Sequence, residues 1–284
     1  MKNNNLIATA CGDYELIDSG DAMKLERFGE VVVARPETQA LWAKRNASAW
    51  TNAHATFAFT NGKGSWQIHK PVPESWVVVR TGLPLIARLT GFKHTGIFPE
   101  QAPNWEWITQ RTSSGMKILN LFGYTGAASI TAARCDALVT HVDASKQSID
   151  WANQNAKLSE IDEDKIRWIL EDALTFTKRE VRRGVKYDGI ILDPPAFGRG
   201  AKGEVWKIEE DFPTLLASLK EILSDEPGSF FLLNGYAAGY SPISFAQAVE
   251  SVFGEINGEC GELHIKESSS DRVIPAGIYV RFVR

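Results

Sequence analysis

The sequence predicts an α/β protein, a doubly wound and mostly parallel seven-stranded sheet with a small β-rich N-terminal domain. Three observations carry this. From Met116 onward, short apolar runs alternate with helix-compatible stretches, as in consecutive βαβ units. The first of those runs passes through a glycine-rich turn into a helix, and the next ones end in carboxylates. Residues 1–91 lack this alternation and carry short β-prone runs broken by turn signals.

The elements follow in order. Residues 31–34, 66–69 and Trp76–Arg80 read as strands, Asn61-Gly62-Lys63-Gly64 as a turn, and residues 36–49 as room for a short helix. Trp42, Trp50, Trp66 and Trp76 fall here, and their irregular spacing suits the core of a β-rich domain better than a stacking platform. A boundary near residues 90–98 gives domains 1–91 and 92–284. Residues 116–122 form the first buried strand, 123–128 the turn and 129–135 a helix. The second strand, 139–142, ends in Asp143; the third, Ile166–Leu170, ends in Glu171-Asp172. A helix over Ala173–Arg183 leads to the fourth strand, 187–192, which delivers Asp193. Residues 212–223 and 243–253 read as helices around a strand at 230–233, and 262–266 with 278–283 as a terminal antiparallel pair. His141 and His264 sit in or beside apolar strands and read as structural.

The chemistry gathers at the strand ends. Glycines at 123 and 126 let the backbone approach a ligand closely, and free N–H groups face it at a strand–turn–helix join. Asp143 lies about 20 residues past the first glycine, the offset at which βαβ nucleotide sites bind ribose hydroxyls. Asp172 could accept from an adenine amino group or cap the following helix. In Ile190-Ile191-Leu192-Asp193-Pro194-Pro195-Ala196-Phe197, a buried strand ends in a carboxylate, two N–H-less residues hold an extended ledge, and a ring follows. Such a ledge receives hydrogen bonds from an amine-bearing flat group, while Phe197 offers a face for its ring.

These residues carry a resemblance. Asn120-Leu121-Phe122-Gly123-Tyr124-Thr125-Gly126 resembles the first motif of the class I S-adenosylmethionine-dependent methyltransferases, and Asp193-Pro194-Pro195-Ala196-Phe197 resembles their fourth. Within that family the chain is similar to the large-subunit ribosomal RNA methyltransferases and their relatives. Lys93-His94-Thr95-Gly96-Ile97-Phe98-Pro99-Glu100-Gln101 resembles a stretch which that branch carries before its cofactor domain. The resemblance covers residues 92–284 and implies S-adenosylmethionine as cofactor, a Rossmann-like sheet and an antiparallel C-terminal pair. It implies cofactor contacts from Thr95, Gly96, Phe98 and Gln101, from Asn120, Phe122, Gly123, Tyr124, Thr125 and Gly126, and from Asp143-Ala144-Ser145 and Asp172-Ala173. Asp193, Pro194, Pro195 and Phe197 become the catalytic set. Members that methylate cytosine at carbon 5 place a nucleophilic cysteine after the fifth strand. Residues 229–240 contain none, and Cys11, Cys135 and Cys260 lie elsewhere, so a carbon-5 mechanism is not expected.

Composition bounds the partners. Of the 284 residues 44% are hydrophobic and 23% charged, with net charge −4, which suits a globular protein and argues against a broad phosphate-binding surface. No apolar run reaches membrane-spanning length, the N-terminus lacks a signal-peptide core, and three unpatterned cysteines suggest neither disulfides nor a metal site. The cytoplasm is the expected compartment; the oligomeric state is not legible. Lys178, Arg179, Arg182, Arg183 and Lys186 form a basic cluster that reads first as a solvated helix face. Arg199 and Lys202, in the glycine-rich loop after the ledge, are candidates for substrate contact, and Asn234 and Tyr236 for the opposite wall. A nitrogen of an RNA base, ribosomal RNA above all, is the expected acceptor; a protein side-chain amide comes second and a small molecule third. A nicotinamide-dependent oxidoreductase and a non-catalytic RNA-binding scaffold are the rivals from other classes. The glycine pattern and ledge oppose the first, and the joint retention of Asp143, Asp172 and Asp193 opposes the second.

Overall fold

The computed structural model describes all residues except 61, 201, 202, 237 and 238. They form two compact units: Ile7–Pro103 with Leu263–Ala276, and Met1–Leu6 with Asn104–Glu262 and Gly277–Arg284. Each unit is discontinuous in sequence, and the first runs on past the boundary expected after residue 91 to Pro103.

The first unit is β-rich. Strands β1 (Tyr14–Gly20), β2 (Met23–Phe28), β3 (Val31–Pro36), β4 (Ala55–Thr60) and β5 (Lys63–Ile68) form a sheet in chain order, and β6 (Trp76–Arg80) pairs with β7 (Leu83–Ala87). Of the room for a short helix over 36–49 only the end is used, in the single turn Ala47–Trp50. The intervening peptides are drawn into other bonds. Glu37 N–H donates to Ala22 O, Asp21 N–H to Trp42 O, and the N–H groups of Arg45 and Asn46 to Asp18 Oδ2. The four tryptophans noted above are half-buried, and each indole N–H is bonded: Trp42 and Trp50 to Ser19 and Asp18, Trp66 to Thr90 O, Trp76 to Phe28 O. Beneath them Glu26, fully buried, accepts from Arg35 Nε at 2.5 Å, Arg35 Nη2 at 3.0 Å and Tyr14 Oη at 2.9 Å.

The second unit holds the parallel sheet. Its strands are β8 (Lys117–Leu121), β9 (Leu138–Asp143), β10 (Ile166–Leu170), β11 (Gly189–Leu192), β14 (Phe230–Gly235), β15 (Gly258–Lys266) and β16 (Val273–Val283), the last two running on into the first unit. A short hairpin, β12 (Phe197–Arg199) with β13 (Val205–Lys207), intervenes. The order is β15-β16-β14-β11-β8-β9-β10, with β16 antiparallel to β14. This is the expected doubly wound seven-stranded arrangement. Two short strands that the sequence did not suggest, Lys2–Asn3 and Leu6–Ala8, pair with β15 and bring the sheet to nine strands.

Helices α1 (Ala102–Arg111), α2 (Ala127–Ala133), α3 (Lys146–Leu158), α4 (Ala173–Arg183), α5 (Ile208–Ile222) and α6 (Pro242–Phe253) connect or flank the strands. Local chemistry sets their starts. Ser145, Asp172 and Ser241 each accept a first-turn N–H with a side-chain oxygen, and Pro242 occupies the first turn of α6. Leu119, Leu121, Ile190, Leu192, Phe231 and Leu233 pack with Leu215, Leu216 and Leu219 of α5 in one buried cluster. Strands buried this completely read as continuous apolar runs. Among the described residues no helix is long and apolar enough to cross a membrane.

Candidate active site

Register brings the strand ends into line. Leu121 pairs with Val142 on one side and Leu192 on the other, Leu192 pairs with Leu233, and Asp143 with Leu170. The residues next in chain, Phe122, Asp193 and Asn234, therefore emerge side by side with Asp143 at one sheet edge. Strand order reverses between β8 and β11, and open α/β sheets bind ligands outside the carboxyl ends at such a point.

The glycine turn after β8 is strained. Phe122 and Tyr124 adopt positive φ, 54° and 49°, a region that side chains larger than glycine rarely occupy and that costs roughly 1–3 kcal/mol per residue. Gly126 (φ 86°) packs so closely that a Cβ there would lie 2.9 Å from Ala152 Cβ, and one on Gly123 would lie 2.4 Å from His141 Cε1. Backbone bonds from Gly123 N–H to Val142 O and Gly126 N–H to Gly123 O close the turn. Buried Asn120 turns its amide to Ser129 Oγ at 2.8 Å, and Ser129 Oγ lies 2.9 Å from His141 Nδ1. Burial holds the His141 imidazole near pKa 3, so it is neutral; its Nε2 is buried with no hydrogen-bond partner. Buried Thr125 accepts at its carbonyl from Asn155 Nδ2 at 2.9 Å. The helix that the turn opens has seven residues.

Asp143 Oδ2 accepts from Tyr124 N–H at 2.9 Å and Oδ1 from Ser145 N–H at 2.8 Å. A carboxylate has about four lone-pair sites, so two remain. Burial pushes the carboxyl above its usual range against the lowering effect of these two N–H groups. Ala144 is half-buried beside it, and Ser145 caps α3. Asp172, the cap of α4, accepts from Thr175 N–H at 2.9 Å; Ala173 is buried behind it.

Asp193 is half-buried and its N–H reaches Leu121 O at 3.4 Å. The ledge is braced from below, which the sequence did not disclose. Trp206, buried on β13, donates its indole N–H to Pro195 O at 2.6 Å and lays its ring 5.0 Å from that of Phe122. Ile208 N–H takes Ala196 O, leaving the Pro194 carbonyl outside these bonds. Phe197 is 56% exposed, with the Arg199 guanidinium 6.0 Å from its ring centre. Arg199 thus stands in a strand of the β12–β13 hairpin, and Lys202 lies outside the described residues. Buried Asn234 accepts at Oδ1 from Asn104 Nδ2 at 2.7 Å, while Tyr236 is exposed.

Four further expectations fall in the other unit. Thr95, Gly96, Phe98 and Gln101 belong to the β-rich unit. There Thr95 Oγ1 is buried with no hydrogen-bond partner, and Phe98 and Gln101 are half-buried. The basic cluster is largely spoken for: Arg179 pairs with Glu171, Arg183 with Glu180 and Lys186 with Asp225. Among the described residues no three His, Cys, Asp or Glu side chains converge as a metal site.

A strained glycine turn, an acid anchored after the second strand and an Asp-Pro-Pro ledge after the fourth define a class I, Rossmann-like methyltransferase. The chain belongs to the S-adenosylmethionine-dependent methyltransferase family, whose model matches residues 34–250. It is 25% identical to Ribosomal RNA large subunit methyltransferase K of Neisseria meningitidis over 226 residues, 76% of this chain and 64% of that protein. It is 34% identical to Ribosomal RNA large subunit methyltransferase K/L of Shewanella frigidimarina over 167 residues, 57% of this chain and 23% of that protein. The chain thus spans less than two thirds of either relative. The crystal structure of a SAM-dependent methyltransferase from Agrobacterium tumefaciens superposes with a TM-score of 0.92 and 40% identity, covering 99% of this chain and 93% of that one.

Proposed function

We propose that this methyltransferase methylates a nitrogen of an RNA base, ribosomal RNA first, with Asp143 holding the cofactor and Asp193 the acceptor. The observation that carries the reading is the shared sheet edge. One carboxylate there is braced by two backbone N–H groups, and its neighbour across β8 opens an ordered ledge. The residues fit the cofactor: Asp143 keeps two lone-pair sites for a pair of ribose hydroxyls, and close packing at Gly123 and Gly126 leaves the turn free of side chains there. Asp172 caps α4 through one oxygen, and its other oxygen is suited to the adenine amino group.

When bound, S-adenosylmethionine supplies a methyl group already activated by the sulfonium charge. The chain's task is then alignment and exclusion of water. Asp193 and the Pro194 carbonyl accept from the N–H groups of the acceptor, point its lone pair, and stabilise positive charge developing on nitrogen. Phe197 stacks on the base, a contact typically worth ~1–3 kcal/mol, and Arg199 beside it suits an adjoining phosphate.

Two features favour nitrogen over carbon 5. Residues 229–242 contain no cysteine. Of the cysteines in this unit, Cys135 follows α2 and Cys260 lies on β15, three strands from β11 and so roughly 14 Å away. A protein amide is the second reading, favoured by the ion-paired basic helix and the net charge of −4. Incubating the protein with methyl-tritiated cofactor and extract from cells lacking it separates the two. Label released by RNase is expected; label released only by protease would overturn the RNA reading.

A further inference from the structure

A chain of polar groups, buried from Arg281 onward, ends at the sheet edge beside Asp193. Glu259 Oε1 accepts from Arg281 Nη2 at 2.6 Å and from Nε at 2.7 Å. Arg281 Nη1 donates to Asn104 Oδ1 at 3.0 Å, and Asn104 Nδ2 donates to Asn234 Oδ1 at 2.7 Å. Asn104 is 1% and Asn234 5% exposed, and the guanidinium is held between the rings of Trp107 and Tyr279, at 5.1 and 5.0 Å. All these residues belong to the parallel-sheet unit.

The sense of each amide follows from donor chemistry alone. A guanidinium has only donors, so Asn104 must turn its oxygen to Arg281 and its N–H2 to Asn234. Asn234 must answer with its oxygen, which leaves its own N–H2 on the other side. No group among the described residues accepts from Asn234 Nδ2, and that nitrogen is not closed off as a buried unpartnered atom. Leu192 pairs with Leu233, so Asn234 emerges one strand spacing, about 4.8 Å, from Asp193.

We infer that Asn104, Arg281 and Glu259 are positioning residues that fix Asn234 as a hydrogen-bond donor toward the methyl acceptor, opposite in sense to the acceptor Asp193. This rests on the site assignment above and narrows the substrate. The edge presented to the ledge carries an N–H donor beside a hydrogen-bond acceptor atom, and Asn234 reads the latter. A ring that offers only donors there is rejected, since its N–H would face the N–H2 of Asn234.

Asn104→Asp tests the relay by reversing it. Aspartate accepts from Arg281 and from Asn234 alike, so Asn234 swings its N–H2 inward and presents its oxygen to the substrate. The expected result is a fall of about 10-fold or more in kcat/KM for tritium transfer to RNA, with cofactor Kd and Tm unchanged. Side-chain amide hydrogen exchange, followed by NMR on the full chain without substrate, gives a second readout. In the wild type the Asn104 N–H2 is protected and that of Asn234 exchanges freely; in N104D the Asn234 group becomes protected. Wild-type transfer by N104D, a parallel loss of Tm and cofactor affinity, or protection of the Asn234 N–H2 in the wild type would each overturn the inference. Absence of label in RNA with the wild-type protein would instead sink the RNA reading, while the exchange pattern judges the relay separately.

Discussion

Asp143 shows how much of this site is set by one side chain's surroundings. Burial raises its carboxyl pKa, yet the proposed bonds from the ribose hydroxyls require the carboxylate. Cofactor affinity should therefore weaken as pH falls through that raised pKa, at a higher pH than for an exposed aspartate. Titration calorimetry across the acid range checks this, and Asp143→Asn should bind weakly with no such pH dependence. Gly123 supplies a second test at this scale. A methyl group there meets the buried His141 ring at 2.4 Å, so Gly123→Ala should lower stability by ~1–3 kcal/mol in denaturant unfolding, and loosen cofactor binding with it. Asp143 and Asp193 stand out in the sequence because each is the first acid at the end of an apolar strand, and Asp172 because it follows Glu171 directly after another. The Asn104–Asn234 bond was not, since 130 residues separate its partners.

At the scale of elements, the β12–β13 hairpin turns a proline pair into a rigid ledge. Its sequence reads as a glycine-rich loop, because Trp206 becomes meaningful only when β13 folds back beneath Pro195. Trp206→Phe keeps a ring against Phe122 but removes the N–H. Stability should fall by about 1 kcal/mol, and single-turnover methyl transfer should slow while cofactor Kd holds. The central parallel strands were readable because burial on both faces makes them largely apolar, as in Gly189–Leu192 and residues 230–233. β1 and β2 were not, because Asp18, Ser19 and Glu26 are buried within them and mask the alternation. Within 36–49 only the last residues turn helical, for a related reason: several of the peptide groups before them bond to Asp18 of β1 and to the β1–β2 turn.

For the molecule as a whole, the β-rich unit buries an ion pair within its apolar core. Glu26 is buried, which alone would raise its pKa, but Arg35, Lys24 and Tyr14 bring it down to about 2. Its contribution to stability is complete above the ordinary value of 4.5 and is lost as pH falls toward 2. Glu26→Gln leaves Arg35 buried without its counter-charge and should destabilise the chain by ~3–5 kcal/mol, read as a lowered denaturant midpoint at neutral pH. That the chain carries two units was legible from the change in pattern near residue 90. The return of Leu263–Ala276 to the first unit was not, since a long strand that serves two units looks continuous in sequence. The central claim is that one sheet edge divides the labour, cofactor on Asp143 and acceptor on Asp193. The most direct measurement pairs cofactor Kd with single-turnover methyl transfer for Asp143→Ala and Asp193→Ala. Asp143→Ala should bind cofactor much more weakly, and Asp193→Ala should bind it like the wild type yet transfer methyl far more slowly. Wild-type transfer by Asp193→Ala, or wild-type cofactor binding by Asp143→Ala, would contradict that division.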